Sequence, residues 1–110
     1  MREMGRNQTG SIKVRRQPAA NSDYSKPYPL GADEDVWGLG FQLASPAKPG
    51  PAMRRPGSMS WAGINNTFFW ADPQEAIGVI VLMQLLPFYD DAALGVLHGV
   101  ETLVYQHLRR

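Results

Sequence analysis

Two apolar segments joined by a four-residue turn constrain the fold of this chain more than any other feature. The segment 67–71 is rich in aromatic and β-branched residues, which favour strands. The turn Asp72-Pro73-Gln74-Glu75 has proline at its second position, as tight turns prefer. The run from Ile77 to Met83 is apolar without polar alternation, so we expect a strand in the middle of a sheet, covered on both faces. A strand, a short turn and a strand predict antiparallel neighbours.

Two further strands are predicted upstream. Large apolar residues at positions 37, 39, 41 and 43 alternate with smaller ones, which predicts one half-buried strand over 36–43. Gly38 and Gly40 would lie on its other face, where something must approach the backbone closely. The segment 58–61 is a second short strand, and Asn65-Asn66 a turn, because asparagine tolerates positive φ.

A helix is expected at the end of the sequence. Asp90 or Asp91 can cap it. An apolar stripe recurs at helical spacing and comprises Leu94, Leu97, Val100, Val104 and Leu108. Gly95 and Gly99, one turn apart, would let the helix approach the sheet closely, and Arg109 and Arg110 suit the negative end of its dipole. The predicted fold is therefore α+β: three or four antiparallel strands with the helix packed on one face.

The first 35 residues differ in character from the remainder. They combine prolines, small polar residues and an early run of basic residues. We interpret residues 1–35 as a loop-rich N-terminal segment, with a fraying helix end at 1–6 and a short edge strand at Ile12 and Val14. Residues 36–110 would form the sheet and helix. The charges of the basic run do not recur on one helical face, so we expect no nucleic-acid partner, and a small nucleic-acid binder is the weakest of the alternatives.

Composition excludes several other classes. The chain has 110 residues, a formal charge of +1 and no cysteine, which rules out disulfides and thiolate metal sites. His98 and His107 would point to roughly opposite sides of the helix, so we expect neither a metal site nor a cofactor. No apolar run is long enough to span a membrane, and the polar start is typical of a cytoplasmic protein.

One ordered series of motifs points to chemistry. Trp61-Ala62-Gly63 is followed by an aromatic strand ending in Asp-Pro, an apolar strand, Leu86-Pro87-Phe88 and the helix. Upstream, in the matching order, stand Arg6-Asn7-Gln8 and Trp37-Gly38-Leu39-Gly40-Phe41. The series resembles the third conserved block of the serine β-lactamase and penicillin-binding-protein superfamily, and most of all the esterase-like relatives of class C β-lactamases. The resemblance implies the C-terminal portion of that fold, with its sheet and final helix.

The resemblance also implies roles for four residues. Trp61, Ala62 and Gly63 would be the triplet that borders the substrate. The backbone N–H of Ile64 would be one half of an oxyanion hole, which stabilises the negative charge that develops on a carbonyl oxygen. Trp61 offers one neutral donor, so the implied substrates are uncharged esters or amides rather than penicillin-type acids. Residue type alone favours a core aromatic for Trp61, and its place in the motif reverses that preference.

The nucleophile of the family is missing from this sequence. It is the serine of a Ser-x-x-Lys motif, and a tyrosine of a second motif assists it. Ser45-Pro46-Ala47-Lys48 matches by spacing, but the prolines after it forbid the helix that such a serine needs. The sequence therefore predicts a hydrolase fragment that is inactive alone and needs an N-terminal portion or self-associates. The alternative is a stand-alone, non-catalytic interaction module.

We expect the purified chain to show no esterase or β-lactamase activity. Residues that border the substrate and one hydrogen-bond donor cannot replace the nucleophile of the covalent step. Hydrolysis of a short-chain p-nitrophenyl ester measures this directly. Turnover that the natural chain shows and Ser45→Ala lacks would make Ser45 the nucleophile.

Overall fold

The structure is a computed structural model that describes residues 2–45 and 52–108. A single antiparallel sheet carries one long helix, which confirms the α+β prediction. The sheet has five strands rather than three or four, and their order in space follows the sequence. The elements are β1 (Val36–Trp37), β2 (Gln42–Leu43), β3 (Met59–Gly63), β4 (Thr67–Asp72), β5 (Ile77–Val81) and α1 (Asp91–Leu108).

The three long strands, β3 to β5, carry the apolar core. In β4, every second residue is buried, and these residues are Phe68, Trp70 and Asp72. Phe68 and Trp70 form the core with Leu97 and Tyr105 of α1. The predicted turns at 65–66 and 72–75 join the strands, which confirms the antiparallel arrangement.

The predicted strand over 36–43 is wrong as a single element. The chain reverses at 38–41, where Gly38 N–H donates to Phe41 O (2.9 Å), so β1 and β2 become partners of each other. A Cβ at Gly38 would overlap the carbonyl oxygen of Met4, so the close approach expected there is present. Gly40 instead has a φ of 87°, which suits glycine in the turn.

The prediction that 77–83 lies in the middle of the sheet is also wrong for the described residues. β5 is the outermost strand and pairs with β4 alone. Val81 is buried, but Ile80 and Leu82 are 69% and 77% exposed. Apolar composition therefore identified the strand correctly and its surroundings incorrectly.

The helix begins as predicted, and four residues of its predicted apolar stripe, Leu94, Leu97, Val100 and Val104, lie in or against the core. The Asp90 carboxylate accepts hydrogen bonds from the N–H groups of Ala92 (2.9 Å) and Ala93 (3.2 Å), so Asp90 is the N-cap. The buried stripe comprises Ala93, Leu97, Glu101 and Tyr105, with Leu94, Val100 and Val104 at its margins. Leu108 is exposed.

The helical glycines do not have the predicted role. Gly95 and Gly99 face away from the sheet, and a Cβ at either position would meet nothing within 4 Å among the described residues. Glu101 and Tyr105 face inward, where Arg54 and the Asp72 carboxylate are their partners, and the glycines lie on the opposite side of the helix from Leu97. Arg109 and Arg110 lie outside the described residues.

The N-terminal segment packs on the sheet without regular strands or helices in the described residues 2–35. The predicted helix end at 1–6 is a turn where it is described, and the predicted edge strand at Ile12 and Val14 does not form. Val14 is buried instead, and its N–H donates to Asp35 O (2.8 Å). Gln8 N–H donates to Trp37 O (2.8 Å), which ties the segment to β1.

A buried polar network joins α1 to the sheet. The hydroxyl of Tyr105 donates to the Asp72 carboxylate (2.7 Å) and accepts from Trp70 Nε1 (3.1 Å). Burial acts to raise the pKa of Asp72, but the hydrogen bonds from Arg55 N–H, the Tyr105 hydroxyl and the turn amides outweigh it and lower that pKa. Burial and the bond to Asp72 raise the pKa of Tyr105. The pair is therefore carboxylate and neutral phenol.

An ion pair secures the segment that leads into β3. Arg54 donates to Glu101 through Nε (2.7 Å) and Nη2 (3.2 Å), and its guanidinium lies 4.5 Å from the centre of the Trp70 ring. Both charged side chains are largely buried, so each depends on the other for its partner.

No helix among the described residues is long and apolar enough to cross a membrane.

We expect Tyr105→Phe to lower the free energy of unfolding by about 1–3 kcal/mol, because it leaves the buried Trp70 N–H and one Asp72 oxygen short of a partner. Urea denaturation measures the change. Tyr24→Phe, at an exposed tyrosine, is the matched control and should change stability little. Equal stability of both variants would show that the network contributes nothing.

Candidate active site

The predicted triplet occupies the end of a central strand. Trp61, Ala62 and Gly63 are the last three residues of β3, and Ile64 begins the turn to β4. Trp61 lies opposite Phe69 in the ladder, and Gly63 lies opposite Thr67. The structure therefore brings the four predicted residues together at one end of the sheet, in the order that the sequence gives them.

Trp61 is half-buried among other aromatic rings. Its ring centre lies 4.7 Å from that of Trp37 and 5.7 Å from that of Tyr28, both in edge-to-face geometry. Such pairs hold their rings in fixed orientations. Ala62, in contrast, packs against the core. Trp61 thus has both a packed and an exposed portion, which a wall residue of a binding site requires.

Ile64 presents its side chain to solvent and sits in a tightly held turn. Its side chain is 60% exposed. The turn ends at Asn66, which is fully buried and has a φ of 58°. The side chain of Asn66 donates to Leu85 O and Pro87 O (2.9 Å each) and accepts from Tyr89 N–H (2.8 Å). Three bonds from one side chain therefore fix the backbone that carries Ile64.

An aromatic cluster links this turn to the N-terminal segment. Tyr28 stacks on Phe88 (5.5 Å between centres) and meets Tyr89 edge-on (5.0 Å). Burial raises the pKa of Tyr28 to about 12, with a smaller contribution from Tyr89, so the phenol is neutral at physiological pH. Tyr28 touches Trp61 as well, so residues from both ends of the chain support the same wall.

A separate cavity of about 170 Å³ lies beneath the helix. Most of its polar groups are paired with one another. Asp35 accepts from Gln42 Nε2 (2.7 Å) and from Ser45 N–H (2.8 Å), and Glu101 accepts from Arg54. Gln42 Oε1 has no hydrogen-bond partner among the described residues. His98 lines the cavity, but no group of three metal-ligating side chains forms within residues 2–45 and 52–108.

Comparison with known proteins identifies the fold. No protein-family model matches the sequence, and no curated protein does. Among solved structures, the LovD6 mutant of simvastatin synthase from Aspergillus terreus is 28% identical, with a TM-score of 0.64 over 68% of this chain. The unliganded enzyme is 26% identical, with a TM-score of 0.64 over 69%. These proteins are acyltransferases of the β-lactamase/transpeptidase fold. Over the matched part, this chain has the β-lactamase/transpeptidase fold.

The chain spans about a fifth of the length of the structures it matches, 18% and 20% respectively. The match confirms the family resemblance and the fold class predicted from the motif series. It leaves the roles of Trp61, Ala62, Gly63 and Ile64 as predictions. Pro46, Ala47 and Lys48 of the rejected Ser-x-x-Lys match lie outside the described residues.

Sequence reasoning missed two residues of this site. Asn66 was predicted as a turn residue, but its three partners lie at 85, 87 and 89, and no local pattern indicates contacts over that separation. Tyr28 lies in a segment interpreted as loop-rich. The only sequence signal for it is an aromatic residue between two prolines.

We expect Asn66→Asp to lower the free energy of unfolding by about 1–3 kcal/mol, because the carboxylate cannot donate to the carbonyl groups of Leu85 and Pro87. Amide hydrogen exchange should accelerate at 64–66 and 87–89. Asn65→Asp makes the same chemical change at the exposed neighbour and serves as the control. Unchanged exchange at these amides in Asn66→Asp would show that Asn66 does not hold the turn.

Proposed function

We propose that this chain forms one side of the active site of a β-lactamase-type serine enzyme that acts on uncharged esters by acyl transfer. Ile64 N–H donates to the carbonyl oxygen of the ester, and Trp61 walls the acyl or alcohol group. Ala62 and Gly63 give the backbone its extended path along the substrate. The serine and the assisting tyrosine come from another portion of the fold, which this sequence does not contain.

One observation carries the proposal. The predicted triplet ends a strand of a sheet whose fold matches acyltransferases, and the residue after it stands in a turn fixed by a buried side chain. A fixed donor is worth more in catalysis than a mobile one, because no reorganisation is needed as charge develops. The matched simvastatin synthases are acyltransferases, which supports acyl transfer to an alcohol alongside transfer to water.

The proposed reaction has two balanced steps. The serine oxygen attacks the ester carbonyl, and the alcohol leaves with the serine proton as an acyl-enzyme forms. Water or a second alcohol then attacks the acyl-enzyme, and its proton returns to the serine. Both steps pass through an oxyanion, so the Ile64 N–H contributes twice. In this arrangement Trp61 orients the ester without taking part in proton transfer.

The competing proposal is a non-catalytic interaction module. Both proposals share the same fold, and they differ in whether the Ile64 N–H donates a hydrogen bond to a substrate during catalysis. A test must therefore remove that N–H while leaving the fold intact.

Ile64→Pro deletes the donor and keeps an apolar residue. We expect it to lower ester turnover ~10²–10³-fold, the usual effect of losing one oxyanion donor. Ile64→Val, which retains the N–H, is the matched control and should keep nearly full activity. The assay joins this chain to the simvastatin synthase polypeptide without its matched segment and follows p-nitrophenyl ester hydrolysis.

The simvastatin synthase segment itself provides the positive control. No turnover with this chain, where that segment restores it, would contradict the proposed function. Equal turnover by Ile64→Pro and Ile64→Val would exclude the donor role. Thermal unfolding of both variants separates a lost donor from a lost fold.

A further inference from the structure

The cavity beneath α1 contains a buried hydrogen-bond acceptor that lacks a donor. Gln42 lines this cavity and is 1% exposed, and its Oε1 has no hydrogen-bond partner among the described residues. The orientation of the amide is fixed, because its Nε2 donates to Leu30 O (2.9 Å) and to Asp35 Oδ2 (2.7 Å), which are both acceptors. A buried acceptor without a donor costs free energy, so the cavity favours an occupant that can donate a hydrogen bond.

The charges around the cavity favour a cation. Three carboxylates line it, those of Glu34, Asp35 and Glu101, against the single guanidinium of Arg54. Arg54 pairs with Glu101 (2.7 Å), whereas Asp35 accepts from neutral groups, a side-chain amide and a backbone N–H. Within residues 2–45 and 52–108, neither Glu34 nor Asp35 forms an ion pair. A positively charged occupant would therefore be attracted and an anionic one repelled.

The cavity has apolar walls, an opening and room for a small organic molecule. Leu30 and Leu97 are among its lining residues, and Leu97 is buried. Three exposed lining residues mark its mouth, namely Glu34, Met53 and His98. Its volume of about 170 Å³ suits about six non-hydrogen atoms, because a cavity of about 150 Å³ can hold benzene.

We propose that this cavity binds a small primary ammonium compound with a short hydrocarbon chain. The ammonium group donates to Gln42 Oε1, and the carboxylates of Glu34 and Asp35 compensate its charge. The hydrocarbon chain packs against Leu30 and Leu97. A primary ammonium carries three donors and no acceptor, which matches a cavity rich in acceptors.

Other occupants fit the cavity less well. A divalent cation lacks ligands, since no group of three metal-ligating side chains forms within the described part of the chain. A neutral alcohol satisfies Gln42 but leaves the carboxylates uncompensated, and water alone leaves the apolar wall without contacts. Trp61 and Ile64 do not line the cavity, so the proposal is independent of the catalytic role of Ile64.

Two matched probes separate charge from hydrogen bonding. n-Pentylammonium and pentan-1-ol share one hydrocarbon chain and end in a donor, but only the first is charged at neutral pH. The full 110-residue chain is titrated with each in phosphate buffer at constant ionic strength. NMR signals of the Gln42 side-chain NH₂ and of the Ser60 and Leu97 amides report occupancy. We expect saturable shifts with n-pentylammonium and about tenfold weaker binding of pentan-1-ol, because charge-assisted hydrogen bonds are the stronger ones.

Three variants locate the site. Glu34→Gln removes a carboxylate at the mouth and should weaken n-pentylammonium binding about two- to fivefold without changing that of pentan-1-ol. Asp23→Asn removes an equal charge at an exposed residue that does not line the cavity, and it is the matched control. Gln42→Met removes the acceptor and should weaken both probes, with the dispersion of the backbone signals as the check on its fold.

Each result decides the proposal. Saturable binding that depends on the charge of the probe and on Glu34 supports the ammonium site. The absence of saturable shifts would leave water as the occupant and overturn it. Equal affinity for the two probes would assign the cavity to neutral donors, and equal weakening in Glu34→Gln and Asp23→Asn would reduce the effect to overall charge. Either of these results overturns the proposal too.

Discussion

The hydrogen bonding of the buried Asp72 carboxylate is the interaction on which the rest of this small structure depends. It lies at the end of β4 and is almost fully buried. A buried charge is tolerated only with good hydrogen bonds, and Asp72 receives them from the Tyr105 hydroxyl, from Arg55 N–H and from the turn amides of Gln74 and Glu75. These donors come from the helix, from the segment before β3 and from the turn before β5. One side chain therefore sets the relative positions of three parts of the fold.

The neighbouring ion pair acts in the same place. Arg54 and Glu101 join the segment before β3 to the middle of α1, and the Arg54 guanidinium lies over Trp70, whose N–H binds Tyr105. Hydrogen bonds and ion pairs thus surround the apolar core on the helix side of the sheet. They give Glu101 and Tyr105 partners, which explains why α1 buries two polar residues beside its apolar stripe.

How much the sequence predicts depends on the range of each interaction. The β3–β4–β5 meander, the turns and the Asp90 cap follow from local patterns, and the structure confirms them. The reversal at 38–41 was missed because the alternating apolar residues are equally compatible with one long strand and with two short ones. The outer position of β5 and the burial of Glu101 and Tyr105 on α1 depend on partners far away in sequence, such as Asp72 for Tyr105. The site follows the same rule: the triplet was visible as a motif, whereas its supports Asn66 and Tyr28 were not.

The Asn66 side chain also has a mechanical consequence. It donates to Pro87 O and accepts from Tyr89 N–H, and Asp90, the residue after Tyr89, caps α1. The turn that carries Ile64 and the first turn of α1 are therefore linked through the Asn66 side chain and the single peptide step from Tyr89 to Asp90. We expect a shift of α1 to move the Ile64 amide with it, so that substitutions on the outer surface of the helix would change the position of that amide without touching it.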